Sequence, residues 1–71
     1  MPARDRSIQQ QLGKTIQRHR KLRGLTQEAL AEAVNVNRAY IGHIEQGRRT
    51  PSLTMLEKIA KALKVPMSEL F

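Results

Sequence analysis

At 71 residues the chain makes one small domain, near the lower size at which an apolar core suffices, and its lack of cysteine excludes both a disulfide framework and a thiolate metal site. The hydrophobic share is 39% with one Tyr, one Phe and no Trp, so the core must be aliphatic; no apolar run approaches a membrane span or a signal peptide, and a cytoplasmic, reducing location is expected. The net charge is +7, from 13 Lys plus Arg against 6 acids, which favours a polyanionic partner, with nucleic acid ahead of an anionic membrane. Ala, Leu, Gln, Glu, Lys and Arg dominate the composition and favour helix throughout.

In chain order, residues 1–6 are polar and read as a flexible N-terminal arm, and residues 7–71 as the folded domain. Ser7 followed by Gln10 fits a capping box, and Ile8, Leu12, Ile16 and Leu22 predict a first helix of about four turns. Gly24 is placed to end it in a left-handed conformation, with Leu25 folding back over the end. Arg20 lies four residues after Ile16, on the edge of the apolar face, where a guanidinium wants a carboxylate. Glu45 is the candidate partner; solvent or a phosphate is the alternative. Lys14, Arg18, Lys21 and Arg23 read as surface charges.

The stretch from Thr26 to Glu45, TQEALAEAVNVNRAYIGHIE, reads as two short helices meeting at a sharp corner. Leu30, Ala33 and Val34 form one apolar set, Ile41 and Ile44 another, each at helical spacing. Thr26 and Asn37 are predicted to cap the two helices, and Asn35 is one of the few non-glycine residues that tolerates the left-handed corner between them. Ala31 is small enough for a neighbouring helix to approach. Such a helix-turn-helix commonly sets its second helix into a DNA major groove.

Residues 46–51, Gln-Gly-Arg-Arg-Thr-Pro, form a loop by every local rule. Ser52 caps a fourth helix with its apolar stripe at Leu53, Leu56, Ile59, Ala60 and Leu63; Val65-Pro66 breaks it, and Pro66 suits the first turn of a short fifth helix, Met67 to Leu70. The charge of residues 1–24, 25–47 and 48–71 is +6, −2 and +3, so positive segments flank the helix pair. Folded onto one surface they would grip the two DNA backbones beside a groove; the alternative is solvated helix faces that aid solubility.

The run GLTQEALAEAVNVNRAYIGHIEQGRRTPSLTMLEKIAKAL resembles the phage-repressor-like helix-turn-helix family, which includes lambda repressor, Cro and small xenobiotic-response-element-type regulators. The resemblance covers about residues 8 to 71 and rests on Gly-Leu-Thr-Gln at 24 to 27, Leu30-Ala31, Tyr40-Ile41, the Ile-Glu-x-Gly of 44 to 47, and Pro51-Ser52-Leu53 in that order. It implies an all-α, compact five-helix domain that binds a roughly palindromic double-stranded DNA operator as a homodimer, at least on DNA. Carried over by position, it gives Gln27 a DNA-backbone contact with an occasional base contact, and Asn37, Arg38, Ala39 and His43 the groove-facing positions. Arg20 and Glu45 match the family's internal ion pair, and Arg48 and Arg49 its phosphate-touching loop. Arg18 and Thr26 join them as candidate phosphate contacts.

The residues' own pattern divides the labour similarly. With Ile41 and Ile44 inward, positions 38, 39, 42 and 43 fall outward. The Arg38 fork suits the O6 and N7 acceptors of guanine or, alternatively, a phosphate. Ala39 offers a methyl contact to thymine, His43 a contact to base or phosphate, and Tyr40 either a phosphate contact through its hydroxyl or a packed ring. Gly42 and Ala39 leave the helix few long polar groups, so DNA shape is expected to share the readout. Dimer contacts are expected near Met67, Leu70 and Phe71. An enzyme is disfavoured: neither His19 nor His43 has a motif partner, no metal-spacing cluster exists and no cofactor or small-molecule ligand is implied. The remaining rival is an antitoxin or adaptor that uses the same fold mainly for protein–protein interaction.

Overall fold

Helix-forming residues fill the first third of the chain, and in the computed structural model they make one long helix. The structure describes residues 2–71, with side chains described from Ile8 onward. Four helices and a closing 3₁₀ turn follow: α1 Pro2–Leu22, α2 Gln27–Ala33, α3 Arg38–Glu45, α4 Leu53–Leu63 and the turn Met67–Leu70. The expected fifth helix is therefore a single 3₁₀ turn. Pro66 stands before it with φ −70°, and Glu69 N–H donates to the Pro66 carbonyl at 2.9 Å, the i to i+3 closure of that tighter helix. No helix of the described residues is long and apolar enough to cross a membrane.

The α1 backbone is already helical from Pro2, so it runs 21 residues rather than about four turns. Position 7 consequently lies inside the helix and not at its N-cap; the Ser7 side chain and Met1, at the start of the expected arm, lie outside the described residues. The other predicted caps are in place. Thr26 Oγ1 accepts from Ala29 N–H at 3.0 Å, Asn37 Oδ1 from Tyr40 N–H at 2.8 Å, and Ser52 Oγ from Met55 N–H at 3.1 Å. Each satisfies one of the free donors of an opening turn.

All four helices end on one device, a left-handed residue that lets the next amide reach back five residues. Gly24 (φ 73°), Asn35 (φ 62°), Gly47 (φ 79°) and Lys64 (φ 60°) hold that position. The following N–H groups, of Leu25, Val36, Arg48 and Val65, donate to the carbonyls of Arg20, Ala31, His43 and Ala60. Lys64 is the unforeseen member. The α4 helix stops there, one residue ahead of the expected Val65-Pro66 break.

The core is aliphatic. Ile16, Leu30, Ile41, Ile44, Ile59, Leu63 and Leu70 are essentially inaccessible, with Ala31, Val34, Leu56 and Ala60 packed among them. Four residues assigned to apolar faces are instead exposed: Ile8, Leu22, Ala33 and Leu53. Leu22 lies six residues beyond Ile16, about 120° off its face, and Ala33 lies on the opposite side of Leu30 from Val34. Leu53 belongs to the opening turn of α4, before its packed stretch begins at Met55, while Ile8 shares the α1 face but lines an open groove with Leu12, Leu70 and Phe71.

Gly13 fixes how α1 meets α3. A Cβ at this buried position would collide with the Ile44 carbonyl oxygen and sit 2.6 Å from that of Glu45, both backbone atoms that cannot swing away. A glycine inside a helix forgoes about 1 kcal/mol of helix propensity relative to alanine. Here it lets the α1 backbone lie directly on the C-terminal carbonyls of α3.

Candidate nucleic-acid interface

α3 is seated by what lies beneath it. Ile41 and Ile44 enter the core, which turns Arg38, Ala39 and His43 outward, and all three are exposed. Asn37 is exposed too, but its amide oxygen is committed to the cap, leaving only its NH₂ free to face a ligand. The Thr26 hydroxyl oxygen likewise caps α2 while its O–H stays available as a donor.

The buried end of α3 carries the domain's internal ion pair. Arg20 Nε donates to Glu45 Oε2 at 2.7 Å and Nη2 to Oε1 at 3.2 Å, with the two residues 7% and 6% exposed. This is the two-pronged geometry that suits a guanidinium to a carboxylate. The third nitrogen, Nη1, donates to the Leu25 carbonyl at 2.7 Å, so the pair also holds the link between α1 and α2. Gln27 completes the cluster by donating from Nε2 to Glu45 Oε1 at 2.9 Å. Sequence spacing pointed to the pair but missed this amide, because Gln27 and Glu45 meet only through the corner geometry.

The loop after α3 folds back on the helix it leaves. Arg48 and Arg49 N–H groups both donate to the His43 carbonyl, at 2.8 and 3.3 Å. This returns the Arg49 guanidinium to a position over the Tyr40 ring, 5.4 Å from its centroid, a cation–π contact not foreseen in the sequence. Tyr40 is half-buried, its ring packed on the core. Arg48 is exposed, and the side chain of Gln9 on α1 bonds the Thr50 hydroxyl to tie the far end of the loop to α1. Exposed Arg18 on α1 shares no hydrogen bond or ion pair with α3 among the described residues. The second histidine, His19, faces the closing turn, its Nε2 3.9 Å from Glu69 Oε1.

A short helix with Arg38 exposed at its N-terminus and His43 exposed in its last turn, packed on a second short helix and followed by a basic loop, has the shape and charge of a groove-reading element. Comparison with known proteins agrees. Residues 16–70 match the helix-turn-helix family HTH_3. A helix-turn-helix-type transcriptional regulator of Methanothermobacter thermautotrophicus is 54% identical over 48 residues, which cover 68% of this chain and 70% of that protein. The immunity repressor protein of Bacillus phage phi105 is 46% identical over 57 residues, 80% of this chain and 40% of the repressor. Among solved structures, the restriction-modification controller protein C.AhdI from Aeromonas hydrophila superposes with a TM-score of 0.89 at 35% identity, over 93% of this chain and 96% of that one. The chain therefore belongs to the lambda-repressor-like HTH_3 helix-turn-helix family and is a DNA-binding transcriptional regulator, not an enzyme.

Proposed function

We propose that the protein is a repressor or autoregulator that sets α3 into the major groove of a roughly palindromic operator, as a homodimer at least on DNA. The observation that carries this reading is the outward side of α3: Arg38, Ala39 and His43 exposed over a buried Ile41 and Ile44, with Arg48 and Arg49 beside them. In this reading Arg38 reads guanine, His43 and the Asn37 NH₂ reach neighbouring base edges, and the Ala39 methyl packs on thymine. Arg48, Arg49, Tyr40, Thr26 and Arg18 hold phosphates and set the register. Similarity to a phage immunity repressor and to a restriction-modification controller supports the regulatory sense. The groove of Ile8, Leu12, Leu70 and Phe71, with the first and last of these largely exposed, supports a second copy docking near the closing turn. A regulator of this kind works in the cytoplasm, where its operator is.

The test is selection of bound sequences from a random double-stranded DNA pool, with sedimentation of the free and bound protein. The expected result is an inverted repeat whose half-sites lie about one helical turn apart, on the order of 34–36 Å, carrying two chains. Enrichment of no sequence, together with weak binding that vanishes in moderate salt, would end the reading and favour an adaptor role.

A further inference from the structure

Tyr40 stands at the edge of the outer face of α3. One turn on, its helix neighbours are His43, which is exposed, and Ile44, which is buried, so its half-buried ring borders both the outer face and the core. The body of the ring packs on the core, and the Arg49 guanidinium lies over it, 5.4 Å from the centroid. At that distance a cation is drawn to an aromatic face.

The loop is held on both sides of Arg49. Before it, the amides of Arg48 and Arg49 share the His43 carbonyl, and Gly47 is set so close to α1 that a Cβ there would sit 3.1 Å from Gln10 Cα. After it, the Thr50 hydroxyl is tied to Gln9 and Pro51 is buried. With its backbone anchored, Arg49 keeps only its side-chain torsions as freedom for a ligand to remove, and immobilising a long flexible side chain lowers affinity. Among the described residues no carboxylate pairs with this guanidinium, and the ring is what holds it. A guanidinium that meets a ring through its face leaves its N–H donors, which lie in its own plane, for a phosphate.

We propose that Tyr40 is a positioning residue: its ring presets Arg49 at the rim of α3 before DNA arrives, apart from any contact made by its hydroxyl. This rests on the proposed meeting of Arg49 with a phosphate, so the experiment has one readout without DNA and one with it.

Tyr40→Phe keeps the ring and removes the hydroxyl. Tyr40→Leu removes both but leaves an apolar group on the core, and Tyr40→Met is a more adaptable substitute should the leucine variant not fold by circular dichroism. In the free protein, proton NMR is expected to show the Arg49 side-chain resonances displaced by the ring current in the unaltered chain and in Tyr40→Phe, and returned to ordinary positions in Tyr40→Leu. With one tyrosine, one phenylalanine and no tryptophan in the chain, that displacement has few other sources. Arg49→Ala is then made in each background, and affinity is measured for the double-stranded sequence that the unaltered protein enriches from a random pool. The loss caused by Arg49→Ala is expected to be the same with tyrosine or phenylalanine at position 40, and about two- to fivefold smaller with leucine. An equal loss in all three backgrounds makes the ring a bystander. A loss that shrinks in Tyr40→Phe as well gives the coupling to the hydroxyl, and tighter binding by Tyr40→Leu means that the ring holds Arg49 off the DNA. Each of these overturns the proposal, as do undisplaced Arg49 resonances in the free unaltered protein. If Arg49→Ala binds as tightly as the unaltered protein while the displacement is present, the phosphate reading of Arg49 has failed, and the positioning role falls with it.

Discussion

At the inner end of α3, Glu45 is 6% exposed and accepts from two nitrogens of Arg20 and one of Gln27. On the outer side of the same helix, about two turns and about half a turn before Glu45, Arg38 and His43 are exposed and join no ion pair among the described residues. The same short element thus holds charge in two ways. Inside, each charged group is defined by the partner that would be stranded without it. Outside, Arg38 and His43 join no side-chain pair among the described residues, so the two sets should respond to mutation through different observables.

The largest effect belongs to the inner set. A buried ion pair contributes modestly to stability compared with a well-packed apolar replacement, but removing one partner strands the other. Glu45→Ala should therefore cost about 3–5 kcal/mol, by leaving the Arg20 guanidinium and the Gln27 amide without their acceptor. Against a typical total of about 5–15 kcal/mol for a domain, that loss should be plain in a urea or thermal melt. An unchanged midpoint would mean that Arg20 escapes to water, and the contrast between the two ends of α3 would dissolve.

Next comes the contact on which the inner end rests. Gly13→Ala should destabilise by about 1–3 kcal/mol although alanine is the better helix former, because its methyl would press on the Ile44 and Glu45 carbonyls. A raised melting temperature by circular dichroism would show that α1 slides freely over α3, and that this backbone approach does not fix the helix pair.

These two predictions also mark what a sequence can and cannot reveal. Capping by Thr26, Asn37 and Ser52, the left-handed corner at Asn35 and the Arg20–Glu45 pair were legible, because each depends on residue chemistry at short spacing or on a charge placed at the edge of an apolar stripe. The helical backbone from Pro2 was not legible, because that polar stretch has no apolar period and only propensity to betray it. Leu22 and Leu53 were misread since periodicity gives the face of a helix, not where its neighbours stop. The contact of Gln27 with Glu45 and the stacking of Arg49 on Tyr40 depend on where helices cross and loops return, which spacing along one helix does not encode. Gly13 did leave a trace: a lone glycine in a helical pattern costs stability, and so signals a close approach.

The outer set should leave stability alone and change recognition. Arg38→Ala, at an exposed position, should shift the unfolding free energy by no more than about 0.5 kcal/mol. It should, however, remove roughly 1–3 kcal/mol of discrimination between operator variants, measured by competition binding. A loss equal at every sequence would strip Arg38 of base readout and leave it a phosphate contact, which would keep the outer set functional but not selective.

The smallest effect separates the outer charges from each other. Arg48 leaves a backbone anchored to the His43 carbonyl, so its side chain starts from a fixed point beside α3, and among the described residues its exposed guanidinium has no partner comparable to the ring beneath Arg49. A cation placed at the rim of a reading surface meets the phosphate backbone, and its contribution comes through released counterions and not through any base. Arg48→Ala should therefore weaken all DNA alike and make the slope of log affinity against log salt shallower by about one, with the order of preferred sequences unchanged. A change in that order would move Arg48 from the rim into the groove and extend the proposed reading surface beyond α3.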